Sequence, residues 1–186
     1  YESLLAEVER GDRYGRFAAT VERVGVDFPA DGIPDSDLTV ASDQNPLAVV
    51  DRLTDLLGES RGAEIRAVSP VVLQQFNEAA AAALDGGASV ELIIDRDVVD
   101  TSVTEFEPAT DRALKDDDAE VYVSTEPIEY GLVRCGEVAC VTAYDERNNP
   151  RCVLESTDET VVDWVDDAFA SLRDEATCLS SVVERA

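Results

Sequence analysis

The sequence predicts an α/β fold, and three patterns predict it. Apolar strand-like runs alternate with helix-periodic runs through the first half of the chain. Short strands joined by turns fill most of the second half, and an amphipathic helix follows them. Alternation of this kind places helices over a sheet with parallel crossovers, and the turn-linked strands add an antiparallel meander to it.

Residues 1–24 carry Leu4, Leu5, Val8, Phe17, Val21 and Val24 near helical spacing, interrupted around Gly11 and Gly15, which predicts two helical pieces or one kinked helix. Val26 to Ser36, with Gly32, Pro29 and Pro34, reads as a loop. Leu38–Ala41 is a short strand. In Ser42-Asp43-Gln44-Asn45-Pro46, Asn45 can cap a helix whose first position is proline, and Val49, Val50, Leu53, Leu56 and Leu57 form its apolar stripe up to Gly58 or Gly62. The grammar then repeats. Glu64–Val68 is a strand, Ser69-Pro70 starts a helix carrying Val72, Phe76, Ala79, Ala80 and Ala83, and Gly86-Gly87 ends it before the strand Ser89–Ile94. Residues 97–117 read as helix broken at Pro108.

The second half changes character. Glu120–Ser124, Tyr130–Arg134, Val138–Tyr144 and Cys152–Glu155 are strands; Gly136-Glu137 fits a two-residue hairpin turn, and Glu146 to Pro150 a longer one. Ser156-Thr157-Asp158-Glu159 has the form of a capping box, and Val161, Trp164, Val165, Ala168, Phe169 and Leu172 make the stripe of the last helix.

Charge narrows the chemistry. The 186 residues include 41 acidic against 15 basic side chains and no histidine, a formal charge of −26. Lys115 is the sole lysine; every other cation is arginine. Such repulsion loosens a compact domain at low salt, whereas at molar salt the screening length shrinks to about 3 Å. The acid excess thus predicts a solvated surface suited to concentrated brine. No loop has calcium-binding spacing, and Asp116-Asp117-Asp118 is a solvated run. Duplex DNA is bound through lysine and arginine, so DNA contact is expected only from a domain outside this chain. No apolar run approaches the roughly 18 residues that span a bilayer, and the start lacks a signal-peptide pattern, so the expectation is a cytoplasmic protein without membrane contact.

Of the four cysteines, Cys135, Cys140 and Cys152 fall on the expected meander. With Gly136-Glu137 as the turn, Cys135 pairs with Val138 and Cys140 with Val133. Both thiols then share a face as diagonal neighbours, with Cα atoms roughly 7 Å apart, at the outer limit for a bridge. If Tyr144 pairs with Arg151, Cys152 lies opposite Ala143 and faces the other way. Small buried hydrophobes are one reading of these residues, and a thiol switch of Cys135 with Cys140 is the other. The spacings match no metal site, and neither metal nor cofactor is expected.

In an open α/β sheet, ligands bind in the crevice beyond the carboxyl ends of the strands. Ser42, Asp43 and Asn45 follow the first strand, Ser69 the second, Asp95 and Arg96 the third, and Ser124 the fourth; these are the candidate ligand-binding residues. Helix capping competes as a role for Asn45 and Ser69. Arg96 can hold an anion through a bidentate contact or pair with Asp95 or Asp97.

Tyr1-Glu2-Ser3-Leu4-Leu5, Ala67-Val68-Ser69-Pro70, Glu91-Leu92-Ile93-Ile94-Asp95, and the order Gly131-Leu132-Val133, Ala143-Tyr144-Asp145-Glu146, Val153-Leu154-Glu155-Ser156 and Val162-Asp163-Trp164 carry a resemblance. They resemble the effector domain of archaeal winged-helix transcription regulators, the middle domain of the regulator of methanogenesis and filament formation. That family is distantly similar to TrmB-type regulators. The resemblance implies a phospholipase-D-like mixed sheet without the catalytic motif. It also implies that residues 1–24 are a linker and dimerisation helix behind a winged helix absent from this chain, and that residues 25–186 are an α/β effector-sensing domain. The expected partners are a second copy of the chain, a small-molecule or redox effector, and DNA through the winged helix.

Catalysis is tested by subtraction. Phospholipase-D chemistry needs histidine, and Ser–His–Asp and Cys–His devices need an imidazole base; the chain has none. Lys115 lies between Leu114 and Asp116, outside any phosphate loop. The expectation is a non-enzymatic sensing and dimerising domain of a haloarchaeal regulator. A thiol redox sensor and a degenerate phospholipase-D-like hydrolase using carboxylates stand as alternatives.

Overall fold

The computed structural model describes residues 36–99 and 116–183, and ahead of them residues 11, 14, 15, 17–19, 21, 27–29 and 33. Its elements are β1 (Asp37–Val40), α1 (Ala48–Glu59), β2 (Glu64–Ser69), α2 (Gln74–Asp85), β3 (Ser89–Ile94), β4 (Ala119–Val123), β5 (Tyr130–Cys135), β6 (Val138–Tyr144), β7 (Pro150–Ser156), α3 (Glu159–Glu175), β8 (Thr177–Cys178) and α4 (Leu179–Val183). The strands form one mixed sheet in the order β1-β7-β6-β5-β2-β3-β4-β8. β2, β3 and β4 run parallel; β5, β6 and β7 form the expected meander, joined antiparallel to β2.

Side chains alternate across the sheet and build a core on each face. Leu132, Val141 and Leu154 face α3, whose Val161, Val165 and Phe169 are buried against them. Cys140 and Val153 face α1, which buries Val49, Leu53 and Leu56 there, while Ala79 and Ala83 bring α2 beside Ile65. Phe17 and Val21 lie in the core on the α3 side, with Phe17 edge-on to Phe28 and Phe28 edge-on to Trp164. Gly15, like Phe17 and Val21, is helical. Leu4, Leu5, Val8 and Val24 of segment 1–24, and residues 100–115 of the expected broken helix, lie outside the described residues. No described helix is long and apolar enough to cross a membrane.

Several expectations are corrected. β1 does not open the parallel set: it lies at the far edge, antiparallel to β7, with Leu38 opposite Leu154. The meander supplies the edge that β1 pairs with, and chain order alone does not name a strand's neighbour. Asn45 does not cap α1, whose N-cap is Leu47 without a side-chain bond; Ser42 and Asn45 instead close a turn on each other. Ser69 starts no helix. It ends β2, and α2 begins five residues later at Gln74, because the Ser69 hydroxyl is spent on a local turn, donating to the Val71 carbonyl. Ser156 likewise belongs to β7, opposite Ala139, and Asp158 caps α3 by accepting from the Thr160 amide at 2.9 Å. Tyr144 pairs with Pro150 rather than Arg151, since a bulge absorbs one residue, yet Ala143 still faces Cys152. The two-residue β8 was too short to carry a periodic signal; it pairs Cys178 with Tyr122.

Candidate ligand-binding site

β1, β2, β3, β4 and β6 all point the same way, so their carboxyl ends share one edge of the sheet. The predicted residues are nevertheless divided. Ser42, Asp43 and Asn45 follow β1, four strand spacings from β2, or roughly 19 Å. All three are exposed. Ser69, Asp95 and Ser124 end the adjacent parallel strands β2, β3 and β4.

Each of these three has a local task. The Asp95 carboxylate accepts from the Asp97 amide at 2.9 Å and from the Ile128 amide at 2.7 Å, fastening the loop after β4 to the end of β3. Ser124 is buried and donates to the Glu126 carbonyl. Arg96 is exposed and forms no ion pair with a described residue, so the expected pairing with Asp95 or Asp97 is not made. Ser69 is the exception, because its hydroxyl also lies near that of Tyr144 at the end of β6.

Tyr144 organises the edge, and sequence reasoning missed it. Tyr144 is 4% exposed, and burial pushes the phenol up to about 12 against a weaker opposing effect of the nearby Ser69 hydroxyl. The ring lies over Gly131 of β5: a Cβ there would meet the Tyr144 hydroxyl at 3.0 Å and the ring edge at 3.1 Å. A glycine inside a strand marks such a close approach, and Gly131 was the available signal.

Two spaces meet at Tyr144. Inward, between α1, α2 and the sheet, is a cavity of about 80 Å³ bounded by Leu53, Leu57, Phe76, Leu92 and Val133, among others. Its wall is almost wholly hydrocarbon, with Ser69, Asn77, Thr142 and Tyr144 as its polar side chains. Outward is an open crevice edged by Asp95, Asp97, Glu129, Asp145 and Glu146. Within it, hydrogen bonds from the Asn149 and Arg147 amides hold the Asp145 carboxyl below its ordinary range.

The paired cysteines take the expected register, Cys135 opposite Val138 and Cys140 opposite Val133. Both thiols are free and buried. Cys135 donates to the Ser60 hydroxyl, and burial pushes the Cys140 thiol well above its usual range. Thiol exchange requires the thiolate, which such burial opposes. Among the described residues no group of side chains could hold a metal ion.

The fold is that of several known structures. TrmBL2, an archaeal chromatin protein, superposes with a TM-score of 0.60 at 13% identity over 94% of this chain, which spans 65% of that protein's chain. Nuc of Salmonella typhimurium, a phospholipase D family member, gives 0.58 at 9% identity over 77% of this chain and 97% of its own. NucT of Helicobacter pylori gives 0.55 at 9% identity over 77% and 98%. At these identities the likeness is one of fold: a phospholipase-D-like mixed sheet flanked by helices. No curated protein matches the chain in sequence. Residues 46–175, from the turn before α1 to the last residue of α3, match the middle domain of the methanogenesis regulatory protein FilR1. The chain therefore belongs to the FilR1 middle-domain family of transcription-regulator domains.

Proposed function

We propose that this chain is the signal-sensing and dimerising domain of an archaeal transcription regulator, and that the signal is a small molecule held in the cavity beneath α1 and α2. One observation carries the reading. Between α1, α2 and the sheet a partly open, apolar pocket of about 80 Å³ remains, with the Ser69 and Tyr144 side chains on its wall. Filling such a gap adds contacts that the empty fold lacks, so an occupant stabilises whichever arrangement of α1 and α2 fits it.

The sheet supplies a route for the response. Val133 borders the cavity, and its neighbour Leu132 packs in the α3-side core with Phe17 and Val21. A shift of the central strands would thus reach the leading helix, from which a dimer contact or an attached DNA reader could be turned. Coupling requires only that the ligand prefer one arrangement. The charge of −26 favours phosphate contact through a module other than this one. Nothing in the reading calls for catalysis.

The test is a methyl NMR screen in about 2 M KCl, where surface charge is screened, over neutral, acidic, basic and polyhydroxyl metabolites. At least one compound should shift the methyls of Leu53, Leu57, Val72 and Leu92 together, and Ala80→Phe, which fills the cavity, should abolish the response. If no compound moves those methyls, sensing by this cavity is refuted. Sedimentation in the same salt should give a dimer; a monomer at high concentration removes that half of the proposal.

A further inference from the structure

We infer that the molecule this cavity takes is small, uncharged and mostly hydrocarbon, with one hydroxyl or carbonyl group placed at the Tyr144–Ser69 end. The inference rests on the sensing role just proposed and adds the chemical class of the signal.

Three features of the cavity select that class. The first is the absence of charge: no residue on its wall is Asp, Glu, Lys or Arg. An ionised ligand entering there would lose its water and gain no counter-charge, a cost of several kcal/mol or more. The second is the scarcity of hydrogen-bonding groups. Ser69 already donates its one hydroxyl proton to the Val71 carbonyl at 2.6 Å, so a polyol would bury hydroxyls without partners. A single oxygen at that end, beside the Ser69 and Tyr144 hydroxyls, leaves no further polar group to satisfy. The third is size. A space of about 80 Å³ admits only a small molecule of a few non-hydrogen atoms.

The surroundings act in the same direction. Tyr144 also borders the outer crevice, whose rim carries Asp95, Asp97, Glu129, Asp145 and Glu146. A carboxylate or phosphate approaching there meets like charge, which lowers its local concentration. An amine is drawn to that rim and then excluded by the uncharged interior. The position of Tyr144 also matters, because Gly131 is what lets its hydroxyl reach the end of the cavity.

Four probes matched in shape or size separate the possibilities: 3-methylbutan-1-ol, 3-methylbutanoate, protonated 3-methylbutan-1-amine and glycerol. Each is titrated into the chain in about 2 M KCl, with the methyls of Val72 and Leu92 reporting on the cavity and Trp164 on the opposite face as control. The alcohol should shift the cavity methyls saturably and move Trp164 by less, through the sheet. The other three should bind at least about tenfold more weakly. Ala80→Phe should remove binding of the alcohol. Tyr144→Phe, which keeps the ring, should weaken the alcohol several-fold and leave the hydrocarbon 2-methylbutane unchanged.

Preferred binding of the acid, the amine or glycerol at these methyls overturns the assigned class and leaves the sensing role standing. Binding of the alcohol that moves Trp164 equally, or that survives Ala80→Phe, places it elsewhere and overturns the assignment. If none of the four binds but another compound of the wider screen shifts the same methyls, the class is wrong and sensing survives. If nothing does, both fall.

Discussion

Tyr144 and Gly131 are the residues on which the site depends. A methyl added at position 131 would press on the Tyr144 hydroxyl and ring and on Thr142 Cβ at 3.2 Å, all of them buried. Overpacking of this kind costs about 1–3 kcal/mol. Gly131→Ala should therefore lower the denaturation midpoint, while Tyr144→Phe in the same background should recover part of the loss by removing one of the opposed atoms. The buried phenol also fixes a pH dependence. Its folded pKa is raised, to about 12 from an ordinary value near 10, so the folded state holds this proton more tightly than the unfolded chain does. The associated stability is complete below about pH 10 and is lost as pH climbs toward 12. Denaturant midpoints across that window should fall less steeply in Tyr144→Phe than in the parent chain. The buried Cys152 thiol, pushed up to about 11, adds a decline of the same sign in both proteins.

Among the elements, α1 is held to the sheet by more than its apolar stripe. Arg52 meets Glu155 of β7 with both carboxylate oxygens, Nε to Oε2 at 2.8 Å and Nη2 to Oε1 at 2.6 Å. The pair is partly screened, at 31% and 20% side-chain exposure, so Glu155→Gln should cost about 1 kcal/mol by thermal melting, far less than a buried pair would. Arg52→Lys should not rescue it, because lysine lacks the fork. The elements also divide what could be read in advance. The Cys135–Cys140 register was legible because a two-residue turn fixes it, and Gly136 supplies the positive φ, +56°, that the turn needs. The place of β1 was not, since its partner β7 lies more than a hundred residues away and no local pattern encodes that choice. Asn45, Ser69 and Ser156 were each read as starting a helix. Their hydroxyl or amide chemistry serves turns and strand ends equally well, and the backbone that follows decides which. Of the candidate site, Ser69 and Asp95 were found by the strand-end rule. Tyr144 and the cavity needed the stacking of α1 and α2, which sequence spacing does not give.

For the molecule as a whole, charge sets the conditions of folding. With −26 spread over 186 residues, self-repulsion is large at low ionic strength and is screened when the Debye length falls from about 10 Å at 0.1 M to about 3 Å at 1 M. The melting temperature should climb steadily between 0.1 and about 2 M KCl, and choline chloride should act like KCl at equal ionic strength if screening is the cause. A requirement for one particular ion would instead point to a specific ion site. The two-faced core, with the cavity on one side and Phe17 and Val21 on the other, makes the sheet the shared element through which an occupant and the leading helix can influence each other. That coupling is the centre of the account. Its most direct measurement is the operator affinity of the regulator proposed to contain this chain, by fluorescence anisotropy, with and without saturating 3-methylbutan-1-ol. A change of at least about fivefold, absent in Ala80→Phe, is the predicted result. An affinity that stays the same while the cavity methyls report full occupancy would contradict it.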